Sequence, residues 1–276
     1  MGIVRVIDKL AFPLSVCAFG ALLFLQKRRP LRTPVESETL HSVRNLLVAG
    51  TAGAAMFLLE KPVASRAAGL VERRDIGLLK LFRLPRWLDS LAAVLLLDYT
   101  LYLWHVLTHR VRFLWRFHVV HHSDLDLDTT TALRFHFCEI TLSVGWRIAQ
   151  ILVIGVSPIP LKIWQALLLP SVLFHHANVD LSNSFESNLS KILVTPRMHG
   201  LHHSIIQDQT NSNWSSGLSI WDRIHGTFRD ISEHRDVTIG VPGYRTAGDL
   251  TFEKLLELPF REQPQMSPFP ENVNDE

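Results

Sequence analysis

Five long apolar blocks constrain this chain more than any other feature. They run from about Leu10 to Leu25, Leu46 to Leu59, Trp87 to Leu107, Ile140 to Val156 and Leu161 to Phe174. A soluble fold alternates apolar and polar residues, whereas continuous apolar runs approaching about 20 residues suit helices that cross a bilayer. The sequence therefore predicts an all-α integral membrane bundle of about four to five membrane helices. The first block ends on Lys27-Arg28-Arg29-Pro30 with no small-x-small cleavage site after it, which makes it a membrane helix rather than a secretory signal. The second is rich in Gly and Ala, which lets helices approach closely. The last two are separated only by Ser157-Pro158-Ile159-Pro160, the signature of a tight helical hairpin.

Between the second and third blocks, residues 61–86 mix apolar side chains with Arg66, Arg73, Arg74, Lys80, Arg83 and Arg86. Residues 77–83 read as an amphipathic segment on the membrane surface. After Val179 the chain becomes polar, and from Gln263 it is Pro-rich, acidic and expected to fray. Three regions follow: membrane helices and an interfacial segment over 1–86, a central region over 87–230 with a histidine-rich helical cap on one membrane face, and an extramembrane tail over 231–276. A formal net charge of +2 gives no reason to invoke nucleic acid. Cys17 and Cys138 both lie in or beside apolar blocks and read as spectators, not a disulfide framework.

The chain has 14 histidines, and most of them are clustered. His105 and His109 end the third block at i, i+4, on one helical face with Asp98 and Tyr102 below them. An aspartate in an apolar span needs a partner. His118-Val119-Val120-His121-His122 and His199-Gly200-Leu201-His202-His203 both read H-x-x-H-H, and each is expected to offer three imidazoles to one place. Thr195-Pro196 suits an N-cap and a first helical residue for the second copy. His175-His176 ends the fifth block. A structural zinc site takes four ligands and a catalytic one three, so this many imidazoles implies two ions. Two crossings by the fourth and fifth blocks bring the chain back to the membrane face where His105 and His109 sit, so all clusters can converge there. The cations at 27–29 argue that this face is cytosolic.

The order H-x-x-x-H, H-x-x-H-H, H-x-x-H-H resembles the fatty acid hydroxylase superfamily, which includes sterol desaturases, methylsterol oxidases and alkylglycerol monooxygenase. Leu97-Asp98-Tyr99, the run 114–118, the run 134–139, Thr195-Pro196, Asn213-Trp214 and the run 221–228 also resemble it. The likeness covers about residues 90–230. It implies a non-haem di-iron centre that activates O2 and hydroxylates or desaturates a lipid C–H bond. The implied ligands are His105, His109, His118, His121, His122, His199, His202 and His203, with His176 as the ninth. Asp98, His136, His175, Asn178 and Asp222 are candidates for outer residues that hold those ligands. Asp180 stands where some members have a further histidine, and Asn213-Trp214-Ser215 departs from the commoner Asn-Tyr-Gly.

Such chemistry consumes two external electrons. The chain has no G-x-G-x-x-G loop and no C-x-x-C-H site, so the electrons are expected from a ferredoxin or from cytochrome b5 with its reductase. Arg110, Arg112 and Arg116 are either a docking patch for an acidic donor or ordinary interfacial charges. Zinc is a plausible substitute for iron in purified protein. The membrane would be the endoplasmic reticulum in a eukaryote and the cytoplasmic membrane in a bacterium. A zinc-dependent membrane hydrolase is the first alternative, weakened by the lack of H-E-x-x-H. A divalent-metal transporter is the second, weakened because its ligands belong near mid-span. Asp124-x-Asp126-x-Asp128 lacks the rest of a calcium loop and reads as solvated. The sequons at Asn188 and Asn213 read as unused.

Overall fold

The computed structural model describes residues 2–230 and 237–263. Among these the regular structure is helical, with isolated bridges joining Pro30 to Val179, Leu193 to Leu218 and Ser204 to Ile239. The membrane part comprises α1 (Gly2–Arg28), α2 (Glu38–Ala55), α3 (Lys61–Arg74), α4 (Arg86–Arg110), α6 (Phe137–Ile154) and α7 (Pro158–His176). The cap comprises α5 (Arg112–His122), α8 (Asn183–Leu189), α9 (Pro196–His202), α10 (Gln207–Thr210), α11 (Ile220–Ile224) and α12 (Phe252–Glu257). Four segments are long and apolar enough to cross a membrane: Lys9–Arg28, Glu38–Phe82, Arg86–Arg110 and Phe137–Ile154. The α7 helix packs inside the same bundle, along α1 and α4.

The second apolar block is not short. A π-helical turn at Met56–Glu60 joins α2 to α3, so one helical run extends from Glu38 to Arg74. Pro62 explains the turn, because its ring crowds the carbonyl four residues back and it has no N–H to donate. The basic stretch that reads as a surface segment is therefore helical as far as Arg74, with Ala64, Ala67, Ala68 and Val71 buried against α6 and α7. Only the 3₁₀ turn Leu78–Phe82 fits the interfacial reading; Leu81 is 78% and Phe82 62% exposed, and Lys80 pairs with Asp89 at 2.9 Å. At this end Gly77 (φ +106°) lies against Gly155 (φ +86°), locking the α3–α4 turn to the α6–α7 turn.

Mid-span, α2–α3, α4 and α6 are tied by polar groups. Arg147 reaches Glu60 at 3.3 Å and sits 4.3 Å over the Trp164 ring, and Gln150 donates to Thr100 Oγ1 at 2.6 Å. Charges at this depth persist only when paired.

Residues beyond 230 do not all form a tail. Val241, Leu250, Leu255 and Leu258 pack with Trp115, Val119 and Val120 of α5 and Val48 of α2. Arg116 donates through Nε to Pro259 O at 2.8 Å, and its Nη2 donates to Arg261 O at 2.9 Å. It clamps this strap and is not a free docking charge. The expected fraying from Gln263 onward falls almost wholly on 264–276, outside the described residues.

Candidate metal centre

The ends of α4 and α7 and the whole of α5 and α9 meet at one end of the bundle, as the topology requires. There the nine histidines form two buried groups. One comprises His105, His109, His118, His122 and His202; the other comprises His121, His176, His199 and His203. Within each group one ring nitrogen from every member lies within 4.8 Å of the rest. The groups share a wall, where the His122 and His203 rings stack at 4.3 Å.

This arrangement corrects the expectation that each H-x-x-H-H serves one place. In both copies the first and last histidines join one group and the middle one joins the other. Helical geometry explains the division. At about 100° per residue, i and i+4 differ by about 40°, whereas i+3 lies about 100° from i+4. The repeat is thus a bifurcating device, and α5 and α9 each supply both groups.

Several rings are oriented by hydrogen bonds from Nδ1. His105 donates to Trp214 O at 2.6 Å, His202 to Ser212 O at 2.9 Å, His176 to Val172 O at 2.8 Å and His118 to Glu139 Oε1 at 2.8 Å. Each bond leaves Nε2 as a lone-pair nitrogen aimed inward. Nε2 atoms accordingly face each other: His202 and His105 at 3.1 Å, His199 and His176 at 3.0 Å, His121 and His176 at 3.1 Å, and His203 and His199 at 3.1 Å. Both ring nitrogens of His109 and His122, and Nε2 of His118, are buried without a hydrogen-bond partner. Buried polar atoms are almost always satisfied, so convergent orphaned nitrogens fit a cation site. Burial, reinforced by neighbouring histidines, pushes His121, His122, His199, His202 and His203 well below the usual imidazole range. They are neutral at pH 7, the form in which imidazole binds a metal.

The outer candidates divide. Asp222 accepts from the Trp214 and Ser215 amides at 2.9 and 3.0 Å and from Thr227 Oγ1 at 2.7 Å. It fixes the loop whose carbonyls hold His105 and His202, although burial raises its carboxyl. Asp98 accepts from Trp221 Nε1 at 2.7 Å and the Leu218 amide at 3.1 Å, tying that loop to α4. The His175 ring packs 4.1 Å from that of His199. His136 instead caps α6 by accepting from the Cys138 amide, and Asn178 pairs with the main chain of Arg32; neither bonds to a histidine of the two groups. Asn213 is buried at φ +52°, with Nδ2 donating to Met198 O and Arg229 O. Thr195 stands at the N-cap of α9 and Pro196 opens the helix, but the Thr195 hydroxyl makes no cap bond.

Sequence reasoning missed Glu139, whose role depends on α6 lying beside α5, and Phe135, which stacks on His121 at 4.4 Å. It also misread Asp124. That carboxylate is fully buried, accepting from His41 at 2.9 Å, Asn45 at 2.8 Å and Thr131 at 2.7 Å, with Arg134 and Arg44 each at 3.3 Å. Burial alone would raise its pKa; Arg134, His41 and Arg44 outweigh burial and hold it well below the carboxylate range. Glu36, His41 and Asp124 lie close enough to surround an ion, but the two guanidiniums already supply the positive charge there.

Two adjacent groups of buried imidazoles at the end of a membrane bundle, each placed so that it could hold a metal ion, define a histidine-cluster membrane protein. The fatty acid hydroxylase family profile matches residues 90–227, half of the chain, and this protein belongs to that family. It is 30% identical over 167 residues to an ornithine lipid hydroxylase of Rhizobium tropici, covering 60% of this chain and 49% of the relative. It is 33% identical over 175 residues to the human alkylglycerol monooxygenase (59% and 35% covered) and 28% identical over 153 residues to the human cholesterol 25-hydroxylase (51% and 52%). The chain thus spans about half or less of the length of these relatives. No solved structure matches it significantly.

Proposed function

We propose that this protein is a membrane-bound non-haem di-iron oxygenase that hydroxylates or desaturates a lipid C–H bond. The observation that carries the reading is the pair of adjoining groups of buried imidazoles with orphaned nitrogens, in a family whose relatives are named as lipid hydroxylases and monooxygenases. His105, His109, His118, His122 and His202 would hold one iron, and His121, His176, His199 and His203 the other. Bound iron would supply O2 activation. For hydroxylation the balance is RH + O2 + 2e⁻ + 2H⁺ giving ROH and H2O.

The protein's own contribution is positional. The carbonyls of Trp214, Ser212 and Val172 and the Glu139 carboxylate fix the tautomer of four ligands, so each presents Nε2. The Trp115 ring, 5.0 Å from His109, and the stacked Phe135 screen the ligands from water. The two electrons come from a separate ferredoxin or cytochrome b5 with its reductase. Placement of the histidine end on the cytosolic face follows from that supply.

The test is metal content and product formation by full-length protein purified in detergent from iron-rich cells. About two irons per chain, and one atom of ¹⁸O from ¹⁸O2 in a lipid product, are expected for the wild type as a hydroxylase; a new double bond replaces the ¹⁸O for a desaturase. His202→Ala should abolish both products. Full activity in that variant overturns the site, and one ion or none per chain returns the transporter and hydrolase readings.

A further inference from the structure

We propose that α11 and the neighbouring turn at Ile192 lie inside the bilayer, so that the cap is seated in the leaflet at the histidine end and its partner there is the acyl chains of membrane lipid. The inference rests on the membrane bundle and stands whether or not the histidines hold iron.

The depth follows from what the cap loop touches. On α4, Asp98 is the middle residue of Arg86–Arg110, about 18 Å from either end at 1.5 Å per residue. The Leu218 amide and Trp221 Nε1 both donate to its carboxylate, and the Trp221 ring lies 5.0 Å from that of Tyr99. On α7, Ser171 donates to Ser216 O at 3.0 Å, about 20 Å from the Pro158 end of the helix. The far turns hold the opposite membrane surface, and about 20 Å from them still falls inside a hydrocarbon core of roughly 30 Å. Two helices thus place residues 216–221 at membrane depth. Leu167 and Leu169, both exposed on α7, come just before Ser171, so the lipid-facing surface runs from α7 onto this loop.

The loop turns an apolar face outward at that depth. Ile220 and Ile224 stand at i, i+4 on α11, 45% and 63% exposed, while Asp222 between them is buried. Ile192, 63% exposed, is held beside them because its carbonyl accepts from the Ser219 amide. Backbone among lipid must find its partners within the protein. Here the Val194 amide donates to Gly217 O, the Ser219 hydroxyl to Ser190 O and the His225 amide to Trp221 O. The polar side chains at the edge of the patch are partnered too. Arg223 donates to Ser190 O at 3.2 Å and lies 3.7 Å over the Phe228 ring. His225 stacks on Tyr102 at 5.0 Å and shares a hydrogen bond with Tyr99 Oη at 3.2 Å. Adjoining exposed isoleucines continuous with a membrane helix suit acyl chains and not water. The same loop supplies the Ser212 and Trp214 carbonyls that orient His202 and His105, so the bilayer braces that side of the histidine groups.

The test is fluorescence quenching of the full-length protein in dioleoylphosphatidylcholine vesicles. Ile224→Cys and Ile192→Cys are made singly in a Cys17→Ser, Cys138→Ser background and labelled with a small nitrobenzoxadiazole probe. Leu167→Cys on α7 is the reference for lipid and Gly248→Cys on the strap the reference for water. All four positions are exposed, and melting temperatures equal to that of the background protein confirm that the variants fold. One quencher is a phospholipid with a nitroxide on its acyl chain; the other is iodide on both sides of the membrane. The expected result is that the labels at 224 and 192 lose fluorescence to the nitroxide lipid as Leu167→Cys does and are shielded from iodide, whereas Gly248→Cys shows the reverse. Quenching at 224 and 192 by iodide as at Gly248→Cys, with none by the nitroxide lipid, would put the patch in water. Shielding from both quenchers would mean that protein covers it, either a second copy of the chain or another segment of this one. Either result overturns the proposal.

Discussion

His121, His122, His199, His202 and His203 are held neutral chiefly by burial, and this has a consequence for stability. Unfolded, each would bind a proton near pH 6.5; folded, each resists it. The unfolded state therefore takes up more protons as pH falls below about 6.5, and stability falls with it, by at most about 1.4 kcal/mol per pH unit for each such histidine. Metal-free protein should melt progressively lower between pH 7 and pH 5, whereas the iron-loaded form should be protected, since a coordinated nitrogen has no lone pair to protonate. A flat melting profile for the metal-free form would contradict this burial. Glu139 and His136 separate two roles that the sequence alone merges. Glu139→Ala removes the acceptor that orients His118 and should weaken iron retention about 10- to 100-fold, and Glu139→Gln, which keeps an acceptor, should recover most of it. His136→Ala should leave iron retention unchanged and lower stability by about 0.5–2 kcal/mol, as loss of a helix cap does. Dialysis against a graded chelator followed by metal analysis reads both.

At the scale of elements, the histidine motifs were legible because their spacing carries the information. The family resemblance over 90–230 matches a profile ending at 227. What the spacing could not show was the division of each H-x-x-H-H between two groups, which needs the rotation of α5 against α9 in three dimensions. Two other elements were hidden for plainer reasons. Lys61-Pro62 looks like the end of a helix, and the π turn that absorbs the proline has no composition of its own. The strap over 237–262 looks polar because its buried apolar residues Val241, Leu250, Leu255 and Leu258 are few and irregularly spaced, and Asp124 looks solvated because its partners His41, Asn45 and Arg134 are remote in sequence or lie beyond the loop. Packing at the far end makes a sharp prediction. A Cβ on Gly77 would lie 2.2 Å from Gly155 Cα, and φ there is +106°. Gly77→Ala should therefore destabilise by more than about 2 kcal/mol. Gly53→Ala, in open space on α2, should be neutral or mildly stabilising by comparison. Thermal melting of the two variants in detergent decides it.

The whole molecule has two ends, and their separation can be measured. The continuous run from Glu38 to Arg74 is roughly 55 Å long at 1.5 Å per residue, longer than the roughly 30 Å hydrocarbon core, so it projects from the bilayer. One end carries the termini of α1, α4 and α7, the two histidine groups and the strap; the other carries the turns at 75–85 and 155–157. Cations crowd both ends, Lys27 to Arg29 at the first and Arg73 to Arg86 at the second, so charge alone does not orient the chain. Under the proposed function the supply of electrons would orient it, because soluble and membrane-tethered reductases draw on cytosolic nicotinamide. Single cysteines at Gly248, on the strap, and at Arg83, in the far turn, introduced into a Cys17→Ser, Cys138→Ser background, test this in sealed membranes with an impermeant maleimide. Both sites are exposed. In right-side-out vesicles Arg83→Cys should label at once and Gly248→Cys only after permeabilisation. The opposite pattern would put the histidine end outside and exclude a cytosolic donor. Labelling of both from one side would mean that the run from Glu38 to Arg74 does not cross the bilayer, contradicting the membrane bundle itself.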